Sequence, residues 1–115
     1  MLLRLDEITD QITRVVLTGA LDTQNTEAMA LHMSVMAQSR RCLIVDLAEV
    51  TMVSSSAIRA LIGSAKVTMT RGGKFILSGP SQGVAKVLET TGCDRLMPIT
   101  ASLNEALLIA SAPIE

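Results

Sequence analysis

Aromatic residues are all but missing from this 115-residue chain: Phe75 stands alone, with no Trp and no Tyr. An interior without rings has to be filled by Leu, Ile, Val, Ala and the seven methionines, and with 49% apolar residues there is material for it. Nothing in that composition points to disorder. An excess of charge of one sign is missing too. Ten Lys and Arg against eleven Asp and Glu leave a formal net charge of −1, and the basic residues are scattered apart from Arg40-Arg41. There is no electrostatic footprint for a phosphate backbone, which excludes nucleic acid as an expected partner. Long apolar runs are absent, and Met1-Leu2-Leu3-Arg4-Leu5-Asp6 meets charge too early for a signal peptide. The expected location is therefore the cytoplasm, with no membrane partner. Cysteine is scarce: Cys42 and Cys93 lack C-x-x-C spacing, so neither a zinc site nor a disulfide framework is indicated. Both read as reduced packing residues, and no metal or cofactor is expected. The length fits one domain spanning residues 1–115 around one core.

Along the chain, Leu2 to Ile8 and Ile12 to Gly19 are β-prone runs separated by Thr9-Asp10-Gln11, the spacing of a hairpin. After Ala20-Leu21-Asp22-Thr23 a helical stretch runs to about Arg40, with Ala28, Leu31 and Val35 on one stripe and Met29, Met33 and Met36 on the next. The first stripe is assigned to the core. The methionines either widen it or form a soft binding patch, with core packing favoured. Cys42-Leu43-Ile44-Val45-Asp46-Leu47 reads as a strand buried on both faces, as in a parallel sheet.

A helix is expected next, with Ile58, Leu61, Ile62, Ala65 and Met69 on one face, ending at Arg71-Gly72-Gly73 where glycine supplies the left-handed conformation. Lys74 to Ser78 is a second buried strand, and after Gly79-Pro80 a helix aligns Val84, Val87, Leu88 and Thr91 before Gly92 stops it. Leu96-Met97-Pro98-Ile99 is a strand candidate that its proline confines to an edge. A last helix starts at Ser102 with a capping box completed by Glu105, burying Leu103, Ala106, Leu107 and Ala110. The order ββαβαβαβα is an α/β pattern: a mixed, mainly parallel sheet of four to five strands with about four helices.

Catalytic patterns fail on their partners. Gly79-Pro80-Ser81-Gln82-Gly83 matches the G-x-S-x-G of a hydrolase nucleophile elbow between strand and helix. That fold needs an acid and then a histidine downstream, whereas the single histidine, His32, lies far upstream. Ser81 is better read as a helix cap, and a small esterase is the remote enzymatic reading. Asp22 and Asp46 are the acids expected near a functional loop, since strand ends in such sheets converge on one edge. No phosphoaspartate-receiver arrangement surrounds them, and Gly72-Gly73 has no P-loop lysine and hydroxyl pattern.

The serine triplet Ser54-Ser55-Ser56 is the feature left unexplained by packing. One serine suffices to cap the helix that follows, and the other two hydroxyls lie where a helix presents free amides and its positive end, an environment that suits an added phosphate. Around the triplet, Leu43-Ile44-Val45-Asp46-Leu47 followed by Val50-Thr51-Met52-Val53-Ser54-Ser55-Ser56-Ala57-Ile58-Arg59-Ala60-Leu61 resembles the STAS domains of anti-sigma-factor antagonists, whose usual run is a strand, D-L and then D-S-S-G-L at a helix start. Thr18-Gly19-Ala20-Leu21-Asp22, Arg71-Gly72-Gly73, Gly79-Pro80-Ser81, Leu88-Glu89-Thr90-Thr91-Gly92 and Ser102-Leu103-Asn104-Glu105-Ala106-Leu107 extend the likeness over nearly the whole chain. Ser54 stands where the family has aspartate, and Ala57 where it has glycine.

The resemblance implies a non-enzymatic switch protein in bacterial partner switching. Its unphosphorylated form would bind a GHKL-type serine kinase that acts as an anti-sigma factor. Phosphorylation would release it, and a PP2C-type phosphatase would reset it. By position the acceptor is Ser55, with Ser54 and Ser56 as neighbours and Asp22 as the nearby loop acid. The partner-binding residues are Asp22, Thr23, Ser54, Ser55, Ser56, Ala57, Ile58 and Arg59. The alternative is a constitutive STAS scaffold that binds without phosphorylation.

Overall fold

The computed structural model describes residues 2–111; the ends of the expected domain, Met1 and residues 112–115, lie outside them. The elements are β1 (Leu2–Glu7), β2 (Ile12–Leu21), α1 (Thr26–Ser39), β3 (Cys42–Val53), α2 (Ser55–Thr70), β4 (Lys74–Ser78), α3 (Gln82–Thr90), α4 (Cys93–Leu96), β5 (Ile99–Thr100) and α5 (Leu103–Ser111). This is the expected order with one insertion. Gly92, at φ +82°, ends α3, and the chain then makes the single turn α4, which drops Cys93 and Met97 into the core. The strand expected over 96–99 is thereby pushed on to Ile99–Thr100, immediately after Pro98 and at the sheet edge.

The strands lie in the order β1-β2-β3-β4-β5, with β1 antiparallel to β2 and the remaining neighbours parallel. Thr9 organises the opening hairpin, its hydroxyl accepting from the amides of Gln11 and Ile12 at 3.1 Å each. Period-two alternation sorts the strand side chains between two layers. Leu43, Val45, Leu47, Phe75 and Leu77 face α1, α2, α3 and α4 in the larger core, while Ile12, Cys42, Ile44 and Ile76 meet Ala106 of α5 on the opposite face. Glu105 and Ser102 start α5: the Glu105 amide donates to the Ser102 hydroxyl at 3.3 Å, and the Glu105 carboxylate accepts from the Ala101 amide at 3.1 Å.

Three expectations are corrected. In α1 the core takes the methionine stripe: Met29, Met33 and Met36 are buried, whereas Leu31 and Val35 are 67% and 60% exposed and Ala28 is on the surface. Met29, Met33 and Met36 pack in the main core, where an unbranched, flexible side chain adapts to the space it is given. Secondly, β3 does not stop at Leu47 but runs to Val53, because β2 continues to Leu21 and offers it a partner. The pairing slips twice, between Val16 and Thr18 and between Gly19 and Ala20. Each slip inserts a residue into β3, so the buried positions Leu47, Val50 and Val53 recur every third residue instead of every second. Thirdly, that extension leaves Asp46 in mid-strand, away from the loops. There it is buried under Arg14, whose Nε donates to Oδ2 at 3.1 Å, while Oδ1 accepts from the Ala48 amide at 2.9 Å. Asp46 is a structural ion-pair partner of Arg14.

Candidate functional site

Leu21 and Val53 are register partners at the parallel ends of β2 and β3, so the segment after β2 and the serine triplet leave the sheet side by side on its carboxyl edge. The Ser54 amide donates to the Leu21 carbonyl at 2.8 Å, which closes the gap between them. Ser54 has extended backbone (φ −78°, ψ 164°) and its hydroxyl accepts from the Ala57 amide at 3.1 Å, the geometry of an N-cap. The cap expected of one serine thus falls to Ser54.

Ser56 is engaged differently. Its Oγ lies 3.1 Å from Ser54 Oγ and 3.3 Å from Thr26 Oγ1, and Thr26 in turn reaches the Asp22 carbonyl at 2.7 Å. A carbonyl can only accept, so the single hydroxyl proton of Thr26 goes to Asp22. Thr26 must then accept from Ser56, and Ser56 from Ser54. The three protons run in one direction, a chain in which each bond polarises the next. Ser55 alone of the triplet is outside it: its side chain is exposed and has no hydrogen-bond partner among the described residues. Ser55 and Ser56 open α2, and their amides have no protein acceptor among the described residues, as expected for a first helical turn. A free hydroxyl therefore sits beside free amide donors and the positive end of a 16-residue helix.

The loop of residues 22–25 is held by the expected Asp22 together with Asn25 and the following Thr26, two side chains that sequence reasoning passed over. Asn25 donates its Nδ2 to the Ala20 carbonyl at 2.8 Å, and its amide donates to Asp22 Oδ1 at 3.1 Å. The helix begins at Thr26, later than expected, and Asn25-Thr26 is itself a pair of turn and cap residues that could have marked the start. Of the eight expected binding residues, Asp22, Thr23, Ser54, Ser55, Ser56 and Arg59 lie at or near the surface of this corner. Ala57 and Ile58 turn inward into the main core, so they hold α2 in place and do not line the surface. The elbow candidate Ser81 caps α3, accepting from the Val84 amide at 3.3 Å, and His32 is exposed on α1.

The sequence model of the STAS domain matches residues 5–106. The chain belongs to the STAS domain family. This STAS domain is similar to the anti-sigma F factor antagonist of Paenibacillus polymyxa, 25% identical over 87 residues that cover 74% of each chain. Its fold matches the anti-sigma factor antagonist SpoIIAA in its unphosphorylated form, with a TM-score of 0.82, 22% identity and coverage of 99% of this chain and 100% of that one. SpoIIAA of Bacillus in the phosphorylated form matches with a TM-score of 0.73 and 22% identity over 94% of this chain and 98% of that one. An anti-sigma-factor antagonist STAS domain protein of Planctomyces limnophilus gives 0.83 at 24% identity, covering 95% and 97%. Among the described residues no helix of this STAS domain is long and apolar enough to cross a membrane.

Proposed function

We propose that this STAS domain is an anti-sigma factor antagonist whose binding is governed by phosphorylation of Ser55. The observation that carries the reading is the division of labour in the triplet: Ser54 caps α2, Ser56 is committed to Thr26, and Ser55 is exposed with its hydroxyl unpartnered among the described residues. The existence of the structurally similar SpoIIAA in unphosphorylated and phosphorylated forms supports it. The domain acts as a binding module and not as an enzyme. Its partners are a GHKL-type serine kinase serving as anti-sigma factor and a PP2C-type phosphatase.

The switch is electrostatic. A phosphate on Ser55 adds about −1.5 to −2 charges at neutral pH, which the α2 amides accommodate within the domain. Release then originates on the partner's side, where the charge is desolvated or meets acidic groups. A penalty of ~3 kcal/mol weakens binding more than a hundredfold. The docking surface comprises Asp22, Thr23, the triplet and Arg59.

Incubation with the cognate kinase and ATP, read by intact mass, tests the assignment. Wild type should gain one phosphate, Ser55→Ala none, and Ser55→Asp should bind the kinase poorly. Full phosphorylation of Ser55→Ala would overturn the site. Tight binding without any phosphorylation of wild type would instead favour the constitutive scaffold.

A further inference from the structure

We propose that the free edge of β1 is a self-association surface, pairing antiparallel with β1 of a second copy about a two-fold axis at Leu5. The two sheet edges differ sharply. At one end β5 has two residues and follows a proline, a blunted edge; at the other, β1 pairs with β2 in unbroken register from Leu2↔Thr18 to Glu7↔Thr13, and its outer edge has no strand partner among the described residues. β1 carries no proline or bulge, and its charged residues are of both signs, Arg4 against Asp6 and Glu7, so they can complement a second copy as well as repel one.

Its side chains also form an unfinished apolar surface. Leu3 packs on the main core, but Leu5 is 43% exposed, and beside it a groove of about 420 Å³ runs between β1 and α1, flanked by the exposed Leu31 and Val35. Burying such a groove against its own copy would remove Leu5, Leu31 and Val35 from water on each side.

Charge pattern selects the partner and the register. A two-fold axis normal to the sheet keeps the helix-bearing faces together, so residues of like parity oppose one another. A register centred on Arg4 or on Asp6 sets that charge against itself. One centred on Leu3 leaves Asp6 and Glu7 unopposed. The register centred on Leu5 sets Leu5 against Leu5 and Arg4 against Asp6 twice, and opposite charges directly across a strand pair are stabilising where like charges are not. Each Asp6 carboxylate, already 3.2 Å from Arg14 Nη1, then lies between Arg14 of its own chain and Arg4 of the partner copy. The 66% exposed Arg4 side chain already lies 3.6 Å from Asp6 Oδ2 of its own strand, so the pairing across the axis joins the two intrachain ion pairs into one network. The charges on this edge therefore discriminate among registers and permit one. The same axis turns the two grooves, with Leu31 and Val35, toward each other above the Leu5 pair. This association is independent of phosphorylation at Ser55.

Sedimentation equilibrium of the full chain tests the proposal. Wild type should be dimeric, and Arg4→Glu, which converts both cross-strand pairs into repulsions, should weaken the dimer by roughly tenfold or more, about 1.4 kcal/mol. Leu5→Lys should do the same, with far-UV circular dichroism unchanged because both side chains are exposed. Copper-catalysed air oxidation should link Leu5→Cys chains in pairs across the axis and leave Leu3→Cys chains unlinked; the native Cys42 and Cys93 are buried. A wild type that stays monomeric at millimolar concentration, or a folded Arg4→Glu variant that dimerises as well as wild type, would overturn the proposal. So would linkage through Leu3→Cys in place of Leu5→Cys.

Discussion

Thr26 and Ser56 place their hydroxyl oxygens 3.3 Å apart, and through them the loop after β2 is fastened to the first turn of α2. Because Thr26 spends its proton on the Asp22 carbonyl, it serves Ser56 as acceptor, and its removal strands a donor as well as a carbonyl. Thr26→Val keeps the shape and deletes both bonds. It should lower stability by about 1 kcal/mol in urea denaturation and reduce hydrogen-exchange protection of the Asn25 amide. An unchanged denaturation midpoint would mean that the link contributes nothing.

Ser54 should be the most sensitive member of the triplet to truncation. Ser54→Ala removes the cap acceptor for the Ala57 amide and the donor for Ser56, at a cost of about 1 kcal/mol or somewhat more, whereas Ser55→Ala should leave stability unchanged. Ser54→Asp retains the cap and adds a carboxylate at the positive end of α2, offsetting the lost donor by about 0.3–1 kcal/mol. Comparing the three variants by denaturation separates the structural serine from the free one.

The methionine stripe of α1 gives a contrast that is large and easily read. Met33 is fully buried, so Met33→Ala should cost about 2–5 kcal/mol through lost transfer energy and a cavity. Leu31→Ala, two residues away on the exposed side of α1, should stay within about 0.5 kcal/mol of wild type when both are measured at concentrations where the domain is monomeric. Equal effects at the two sites would contradict the helix orientation.

Elements marked by local chemistry were legible in advance: the serine caps of α2 and α3, the glycines that end α2 and α3, and the buried runs of β3 and β4 all answer to residues within a turn of the feature. What was not legible depends on packing between elements. Two stripes of α1 are almost equally apolar, and the choice of Met29 and Met33 over Leu31 and Val35 is made by the shape of the surface beneath. The extension of β3 to Val53 was hidden because two register slips replace alternation by a spacing of three, a pattern that reads as no strand at all. The misplacement of Asp46 follows from the same slips. At the site, the serines could be found from the triplet, but the commitment of Ser56 depends on Thr26, thirty residues away in the chain.

Gly72 and Gly73 terminate α2 for different reasons. Gly72 sits at φ +83° with open space around it, so Gly72→Ala should cost about 1–2 kcal/mol from backbone strain alone. Gly73 is wedged between the end of α2 and the start of β3: a Cβ there would collide with the Arg41 carbonyl, the same oxygen that accepts from the Lys74 amide at 3.0 Å. The obstacle is backbone and cannot rotate away. Gly73→Ala should therefore be the more damaging of the two, by roughly 1–3 kcal/mol of overpacking together with a weakened entry into β4. Thermal unfolding of both variants gives the ranking.

Cys42 supplies a pH dependence whose sign follows from its burial. Desolvation pushes its thiol pKa up, only partly countered by the positive charge of Lys74. The folded state thus holds this proton to a higher pH than the unfolded chain, in which a thiol ionises near pH ~8.5. Below that value both states are protonated and the group contributes no slope; above it the unfolded state alone loses the proton, so stability falls with rising pH until the folded thiol itself ionises. Wild type should lose denaturant resistance between neutral and alkaline pH more steeply than Cys42→Ala, whatever the offset in their stabilities at pH 7. Alkylation of Cys42 by a thiol reagent should likewise be slow in the native state and rapid in denaturant, since the buried side chain is both protonated and out of reach. Parallel pH profiles for the two proteins would show that the slope arises elsewhere.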